Sequence, residues 1–186
     1  MTEIKTVGVL GCGLMGSGIA QVAAQAGCQT IVRDVSDAFN EKGKAGIAKS
    51  LDKFVEKGKL SAGDRDATLG RLAFTTRVGD LAKGDIIVEA VTEDLDVKNA
   101  LWKELDGLCG PGTILASNTS SLTIAAMAAA TKRADRFVGL HFFNPVPLMK
   151  LVEVVRTVTT SAATFERAFA FARSLGKEPI AAKDNS

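Results

Sequence analysis

Thr6-Val7-Gly8-Val9-Leu10-Gly11-Cys12-Gly13-Leu14-Met15-Gly16 is the stretch that decides the fold. Its first five residues form a short apolar run, the mark of a strand buried on both faces. Glycines then follow in the order G-x-G-x-x-G, and Leu14 to Ala26 reads as a helix that stops at Gly27. The glycine pattern alone is weak, because ordinary turns use glycine too. Directly after a strand and at the mouth of a helix it has a mechanism. Gly11 permits the tight turn, Gly13 lets a pyrophosphate approach the backbone, and Gly16 allows the helix to pack closely on the strand. The opening residues of the helix, Leu14 and Met15, bring free N–H groups and a positive dipole end to the phosphates.

Working outward, Gln29 to Arg33 reads as a second strand, and Asp34 stands at its end. An acidic group there accepts hydrogen bonds from the ribose hydroxyls and repels a 2′-phosphate, which selects NAD over NADP. Arg33 beside it leaves tolerance of NADP open. Ser36 or Asp37 caps a long helix running to about Lys57, and Ser61 caps a shorter one after Gly58. Further strands are expected at Arg71–Thr75, Asp85–Ala90, Thr113–Ala116, Phe137–Phe142, Lys150–Arg156 and Glu178–Ala182. Helices are expected at Asp96–Leu108, Thr123–Ala130 and Ala162–Leu175, the last stopped by Gly176. Strands alternating with helices predict an α/β fold, a doubly wound parallel sheet with a long helical insertion after the second strand. Such a sheet binds ligands beyond the carboxyl ends of its strands. Residues 1–186 are expected to form one domain.

Bulk properties exclude several classes. The 186 residues carry 23 basic and 21 acidic side chains, a net charge of +2, which argues against a dedicated nucleic-acid protein. Cys12, Cys28 and Cys109 are widely spaced, and with a single histidine they offer no metal-ligand spacing. Reduced, structural thiols are expected. The start Met1-Thr2-Glu3-Ile4-Lys5 has no secretory pattern, and no apolar stretch approaches the roughly 20 residues of a membrane span. A cytoplasmic location is therefore expected.

The one histidine, His141, ends the apolar run Phe137–Phe142, where this architecture places its chemistry. Glu153 lies between valines in Leu151-Val152-Glu153-Val154-Val155, and a carboxylate in such a setting invites a partner. Spacing alone does not pair the two. Ser120, before an Ala-rich segment, reads from the residues alone as a helix cap.

Three segments carry a resemblance to a known family. Gly139-Leu140-His141-Phe142-Phe143-Asn144-Pro145-Val146-Pro147-Leu148-Met149-Lys150-Leu151-Val152-Glu153-Val154 resembles the signature of L-3-hydroxyacyl-CoA dehydrogenases. Ala116-Ser117-Asn118-Thr119-Ser120-Ser121-Leu122 resembles a second family motif. Val88-Glu89-Ala90-Val91-Thr92-Glu93-Asp94-Leu95, with Lys98, resembles a third. The likeness runs from the first strand to the last residue, and within the family the chain is most similar to bacterial 3-hydroxybutyryl-CoA dehydrogenases.

The resemblance implies a place in fatty-acid metabolism and a reaction in which a base removes the 3-hydroxyl proton while hydride leaves C3 for the nicotinamide. It makes His141 that base, a role suited to an imidazole, which titrates near neutral pH. It makes Glu153 the group that holds the imidazole, Ser120 a hydrogen-bond partner of the substrate oxygen, and Asn144 a residue that shapes the site. Glu93, Lys98 and Asn118 are implied on the NAD side, and Ser50 and Lys57 on the CoA side. It also implies a further helical domain, beginning where Lys183-Asp184-Asn185-Ser186 ends, that closes the substrate site and makes a homodimer. Without that domain the chain is expected to bind NADH, to turn over acyl-CoA poorly, and to expose an apolar face that promotes association. Two other readings stand beside this one: an NAD-binding module without turnover, and a related sugar-acid (gulonate-type) dehydrogenase that shares the His–Glu pair.

Overall fold

The computed structural model describes residues 2–184. Met1, Asn185 and Ser186, at the two ends on which the expectations about a leader and a following domain rest, lie outside them. The strands are β1 (Thr6–Leu10), β2 (Gln29–Arg33), β3 (Leu72–Thr75), β4 (Ile86–Glu89), β5 (Ile114–Ser117), β6 (Phe137–Phe142), β7 (Leu151–Arg156) and β8 (Glu178–Lys183). The helices are α1 (Leu14–Gln25), α2 (Asp37–Glu56), α3 (Ala62–Gly70), α4 (Leu95–Leu108), α5 (Ile124–Ala128) and α6 (Ala162–Ser174). One sheet of eight strands runs in the order β3-β2-β1-β4-β5-β6-β7-β8. The first six are mutually parallel, and the chain reverses its direction across the sheet between β1 and β4. This is the doubly wound arrangement, with α2 and α3 inserted between β2 and β3.

Local chemistry explains the element boundaries. Ser36, Ser61 and Ser161 each accept a hydrogen bond from the N–H three residues on, and the Asp94 carboxylate accepts from Asp96 and Val97. These caps satisfy backbone donors that a helix start leaves open. Gly27 leaves α1 with φ near 99°, a left-handed turn that glycine takes at no steric cost. Two short 3-10 helices, Val78–Lys83 and Ala134–Arg136, have no counterpart in the sequence reading. They are two turns and one turn long, and both lead towards a strand, too short to show a helical period.

The parallel-sheet expectation holds for six strands and fails for the last two. β7 runs antiparallel to β6, and β8 is parallel to β7. Only the eight residues 143–150 connect β6 to β7, fewer than the dozen or more that a parallel crossover needs. The apolar periodicity was the same for both directions.

Side chains alternate across the sheet. Val7, Val9, Ile86, Val88, Ile114, Ala116, Val138 and Leu140 face the core that includes residues of α1, α2 and α6. Leu10, Ile87, Leu115 and Phe137 face the opposite core with Trp102 and Leu105 of α4 and Met127 of α5. Trp102 meets Phe137 edge to face, with ring centroids 4.9 Å apart. On this second face Gly139 lies directly opposite Val155, where an added Cβ would come 2.6 Å from the Val155 Cβ and 3.0 Å from the Ile124 side chain.

Replacing Gly139 by Ala is therefore expected to overpack β6 against β7 and α5 at a cost of about 1–3 kcal/mol. Urea denaturation, with a lowered midpoint and unchanged slope, checks this. The three thiols give a second expectation. Burial first, then the Asp34 carboxylate, pushes the Cys12 thiol up to about 11. Burial likewise raises Cys28 and Cys109. Cys12 and Cys28 are buried and Cys109 is half-buried, so a disulfide reagent at pH 8 should label Cys109 slowly and the other two only after unfolding.

Candidate active site

The glycine turn is built by contacts that leave no room for side chains. Gly11 has φ near 96°, and a Cβ there would lie 2.5 Å from the Ala90 carbonyl oxygen. Its N–H donates to the Arg33 carbonyl at 2.8 Å, which ties the turn to β2. A Cβ on Gly16 would overlap the Gly11 carbonyl oxygen, so α1 lies against the turn only because residue 16 is glycine. Gly13 differs: a Cβ there would meet nothing within 4 Å. Open space over Gly13, at a helix start with no acidic side chain in its first turn, fits a diphosphate.

Asp34 stands beside this turn. One carboxylate oxygen accepts from the Cys12 N–H at 2.7 Å and the other from the Val35 N–H at 2.6 Å. Each oxygen keeps acceptor capacity for a ribose hydroxyl. Arg33 donates from Nε to the Thr76 carbonyl at 3.1 Å. Its guanidinium is thus tied to the loop after β3, and the negative charge of Asp34 is the one beside the glycine turn. The residues present fit NAD.

Beneath the ends of β4 and β5 lies a pair that the sequence reading did not identify. Glu89 is fully buried and Lys98 is 1% exposed. Lys98 Nζ donates to Glu89 Oε1 at 2.6 Å and lies 3.5 Å from Glu93 Oε1. Glu89 Oε1 also accepts from the Val91 N–H at 2.8 Å, and Oε2 accepts from the Ser117 hydroxyl at 2.6 Å. Glu93 Oε2 accepts from the Thr119 hydroxyl at 2.7 Å. Lys98 is thus an internal counter-ion of two carboxylates, and Glu93 is the exposed member of the set. The signal in the sequence was a carboxylate ending the run Ile86-Ile87-Val88, which requires a cation nearby.

The reversal between β6 and β7 places Glu153 directly opposite His141 in register. Partners in register point to the same face of a sheet, so the two side chains meet: His141 Nδ1 lies 2.9 Å from Glu153 Oε2. The Phe143 ring leans on the imidazole with centroids 4.5 Å apart. This contact leaves Nε2 as the nitrogen available to a ligand. Asn118 Oδ1 accepts from the Phe142 N–H at 2.8 Å, which locks the end of β5 to the strand that carries His141.

Ser120 is exposed in the loop after β5 and caps no helix. The first N–H groups of α5, from Ile124 and Ala125, donate instead to the two carboxylate oxygens of Asp184 at 3.0 and 2.8 Å. The cap comes from 60 residues away along the chain, and local pattern cannot show a cap so distant.

Asn144 borders a groove of about 410 Å³ between α1, α2 and the β6–β7 loop. Ser50 and Lys57 line it, together with Lys49, Lys53 and Lys59, which the sequence reading passed over. Its apolar lining comes from Leu14, Ile47, Phe54 and Val146. A cationic rim over an apolar groove suits a long ligand with phosphates at one end and an acyl chain at the other. Thus Gly11, Gly13, Gly16 and Asp34 gather at one mouth of the sheet, His141 and Glu153 at the next, and Ser50 and Lys57 across the groove from Asn144.

Fold and site together define a dehydrogenase-type dinucleotide-binding domain. Residues 6–185 match the model of the NAD binding domain of 3-hydroxyacyl-CoA dehydrogenases, and the chain belongs to that family. It is 49% identical, over 97% of its length and 60% of the relative's, to human mitochondrial hydroxyacyl-coenzyme A dehydrogenase. To a 3-hydroxybutyryl-CoA dehydrogenase of Mycobacterium tuberculosis it is 46% identical, over 98% of its length and 65% of the relative's. Among solved structures, (S)-3-hydroxybutyryl-CoA dehydrogenase PaaH1 from Ralstonia eutropha superposes with a TM-score of 0.96 at 46% identity, covering 98% of this chain and 65% of that one. The chain thus spans between 60% and 65% of the length of these relatives.

Removing one member of the buried pair leaves the other charge without a partner. Glu89→Gln and Lys98→Met are each expected to cost roughly 3–5 kcal/mol, and the double substitution less than the sum of the two. Denaturant titration of the four proteins measures the coupling.

Proposed function

We propose that this chain binds NAD(H) and carries the proton-transfer groups for interconverting (S)-3-hydroxyacyl-CoA, 3-hydroxybutyryl-CoA in particular, with 3-oxoacyl-CoA. The observation that carries the proposal is the His141–Glu153 pair at the mouth of the sheet, one loop away from a lysine-rimmed apolar groove. NAD+, when bound, supplies the hydride acceptor. His141 Nε2 takes the proton of the 3-hydroxyl as the C3 hydride departs, and returns it in the reverse direction. Glu153, on Nδ1, selects the tautomer with Nε2 unprotonated and stabilises the imidazolium that forms.

Ser120, exposed in the loop after β5, donates to the substrate oxygen, and Asn144 orients the acyl group at the head of the groove. Gly11, Gly13, Leu14, Met15 and Gly16 hold the diphosphate, and Asp34 the adenine ribose. Glu93 and Asn118 face the nicotinamide end, and Lys98 contributes by fixing Glu93. Ser50 and Lys57, with the neighbouring lysines, receive the CoA moiety. The same reading makes residues 1–186 an NAD-binding domain that works beside a helical domain in a cytoplasmic homodimer.

The test is NADH oxidation with acetoacetyl-CoA, preceded by titration of NADH fluorescence. His141→Ala is expected to lower turnover roughly 10²- to 10⁴-fold while NADH still binds. Turnover that survives the substitution would overturn the role of His141. NADH bound without turnover in the unsubstituted chain favours the reading as a binding module. For the cofactor, Asp34→Ala should weaken NADH and narrow its preference over NADPH.

A further inference from the structure

Lys177 is a buried cation that the reaction does not use. It is 8% exposed, and its ammonium makes no ion pair among the described residues. Burial alone pushes its pKa below the ordinary lysine value. A charge in such a place is costly unless it is paired or hydrogen-bonded. Its Nζ donates to two main-chain carbonyls, those of Val146 at 2.5 Å and Met149 at 2.8 Å. Both belong to the loop between β6 and β7, which begins two residues after His141 and lines the groove with Asn144, Pro145, Val146, Pro147 and Leu148.

The position of Lys177 is itself determined by a helix end. Leu175 closes α6, and Gly176 follows with φ near 75°. Its N–H bonds the Arg173 carbonyl, and the Lys177 N–H bonds the Ala172 carbonyl. That pair of bonds is the glycine-terminated helix end in which the residue after the glycine is held rigidly. The next N–H, from Glu178, bonds the Lys150 carbonyl, so the base of the side chain is tied on both sides.

The loop is seated from its other side as well. Val146 is 2% exposed and rests on Gly18 of α1, where a Cβ would lie 2.8 Å from the Val146 Cβ. Within the loop the Leu148 and Met149 N–H groups both bond the Pro145 carbonyl. Three elements therefore converge on this loop: α1 through Gly18, the α6–β8 junction through Lys177, and β6 through the chain itself.

We propose that Lys177 is a positioning residue for the acyl-CoA side of the site, acting through the Val146 and Met149 carbonyls to hold Asn144 and the groove wall in place. An ammonium suits the task because it offers several donors at one point and can bind two carbonyls that face different ways. The proposal rests on the reading of the groove as the acyl-CoA site.

The experiment compares the chain with Lys177→Met and Gly18→Ala. Each protein is titrated with NADH and with acetoacetyl-CoA, and amide exchange is followed at Leu148 and Met149. In Lys177→Met those two amides should exchange roughly tenfold faster, while α6 keeps its protection. The acetoacetyl-CoA dissociation constant should rise about tenfold in both variants, with that of NADH unchanged within about twofold. Unchanged exchange in the loop, or equal losses for both ligands, would overturn the proposal. Should Lys177→Met fail to fold, Lys177→Gln, which is uncharged and too short to reach both carbonyls, decides: undiminished acetoacetyl-CoA binding there overturns the proposal. An unsubstituted chain that binds NADH but no acetoacetyl-CoA would overturn the groove reading instead. Loop exchange in Lys177→Met then decides by itself whether Lys177 is a strut.

Discussion

A carboxylate with no exposure is tolerated inside a sheet only where its oxygens are answered, and Glu89 sets that condition for the middle of this molecule. It ends β4, next to the point where the strand order changes direction, and it is met from three sides. Lys98 comes from α4, the Ser117 hydroxyl from β5, and the Val91 N–H from its own loop. Each partner is thereby placed. Lys98 reaches on to Glu93, and Glu93 to Thr119, so the loops after β4 and β5 are joined before any ligand arrives. Those loops carry Asn118 and Ser120, and Asn118 passes the constraint to the strand of His141.

Beside this polar network the cofactor turn depends on the absence of atoms. Gly11 lies against the Ala90 carbonyl and Gly16 against the Gly11 carbonyl, while the space over Gly13 is empty. Two of the three glycines are required by the protein's own packing, and the third by room for something else. The same distinction recurs at Gly18 and Gly139, which admit Val146 and Val155. Neither belongs to the dinucleotide motif, yet one seats the groove wall and the other lets β7 come close to β6.

Much of this was legible in the chain because it depends on neighbours in sequence. The glycine turn, the serine caps of α2 and α3, the glycine stops of α1 and α6, and the strand of His141 all follow from residues within a few positions of one another. What escaped was the pairing of distant groups. Nothing near Glu89 or Lys98 in the chain says that the two side chains meet. Asp184, and not the nearby Ser120, answers the first N–H groups of α5. Lys177, in no motif at all, proved to be among the most buried cations of the described chain.

By itself, then, the sequence determined that the chain forms strand–turn–helix units able to bind a dinucleotide, because glycine spacing, caps and apolar periodicity act over short range. It also contained His141 and Glu153, without saying that they meet. Only the tertiary structure decided that β7 turns back on β6, and this reversal brings the two side chains to one face at 2.9 Å. Periodicity reports which residues are buried and is blind to strand direction. Direction is decided by the length of the connection and by what the intervening loop packs against, here Gly18 on one side and Lys177 on the other.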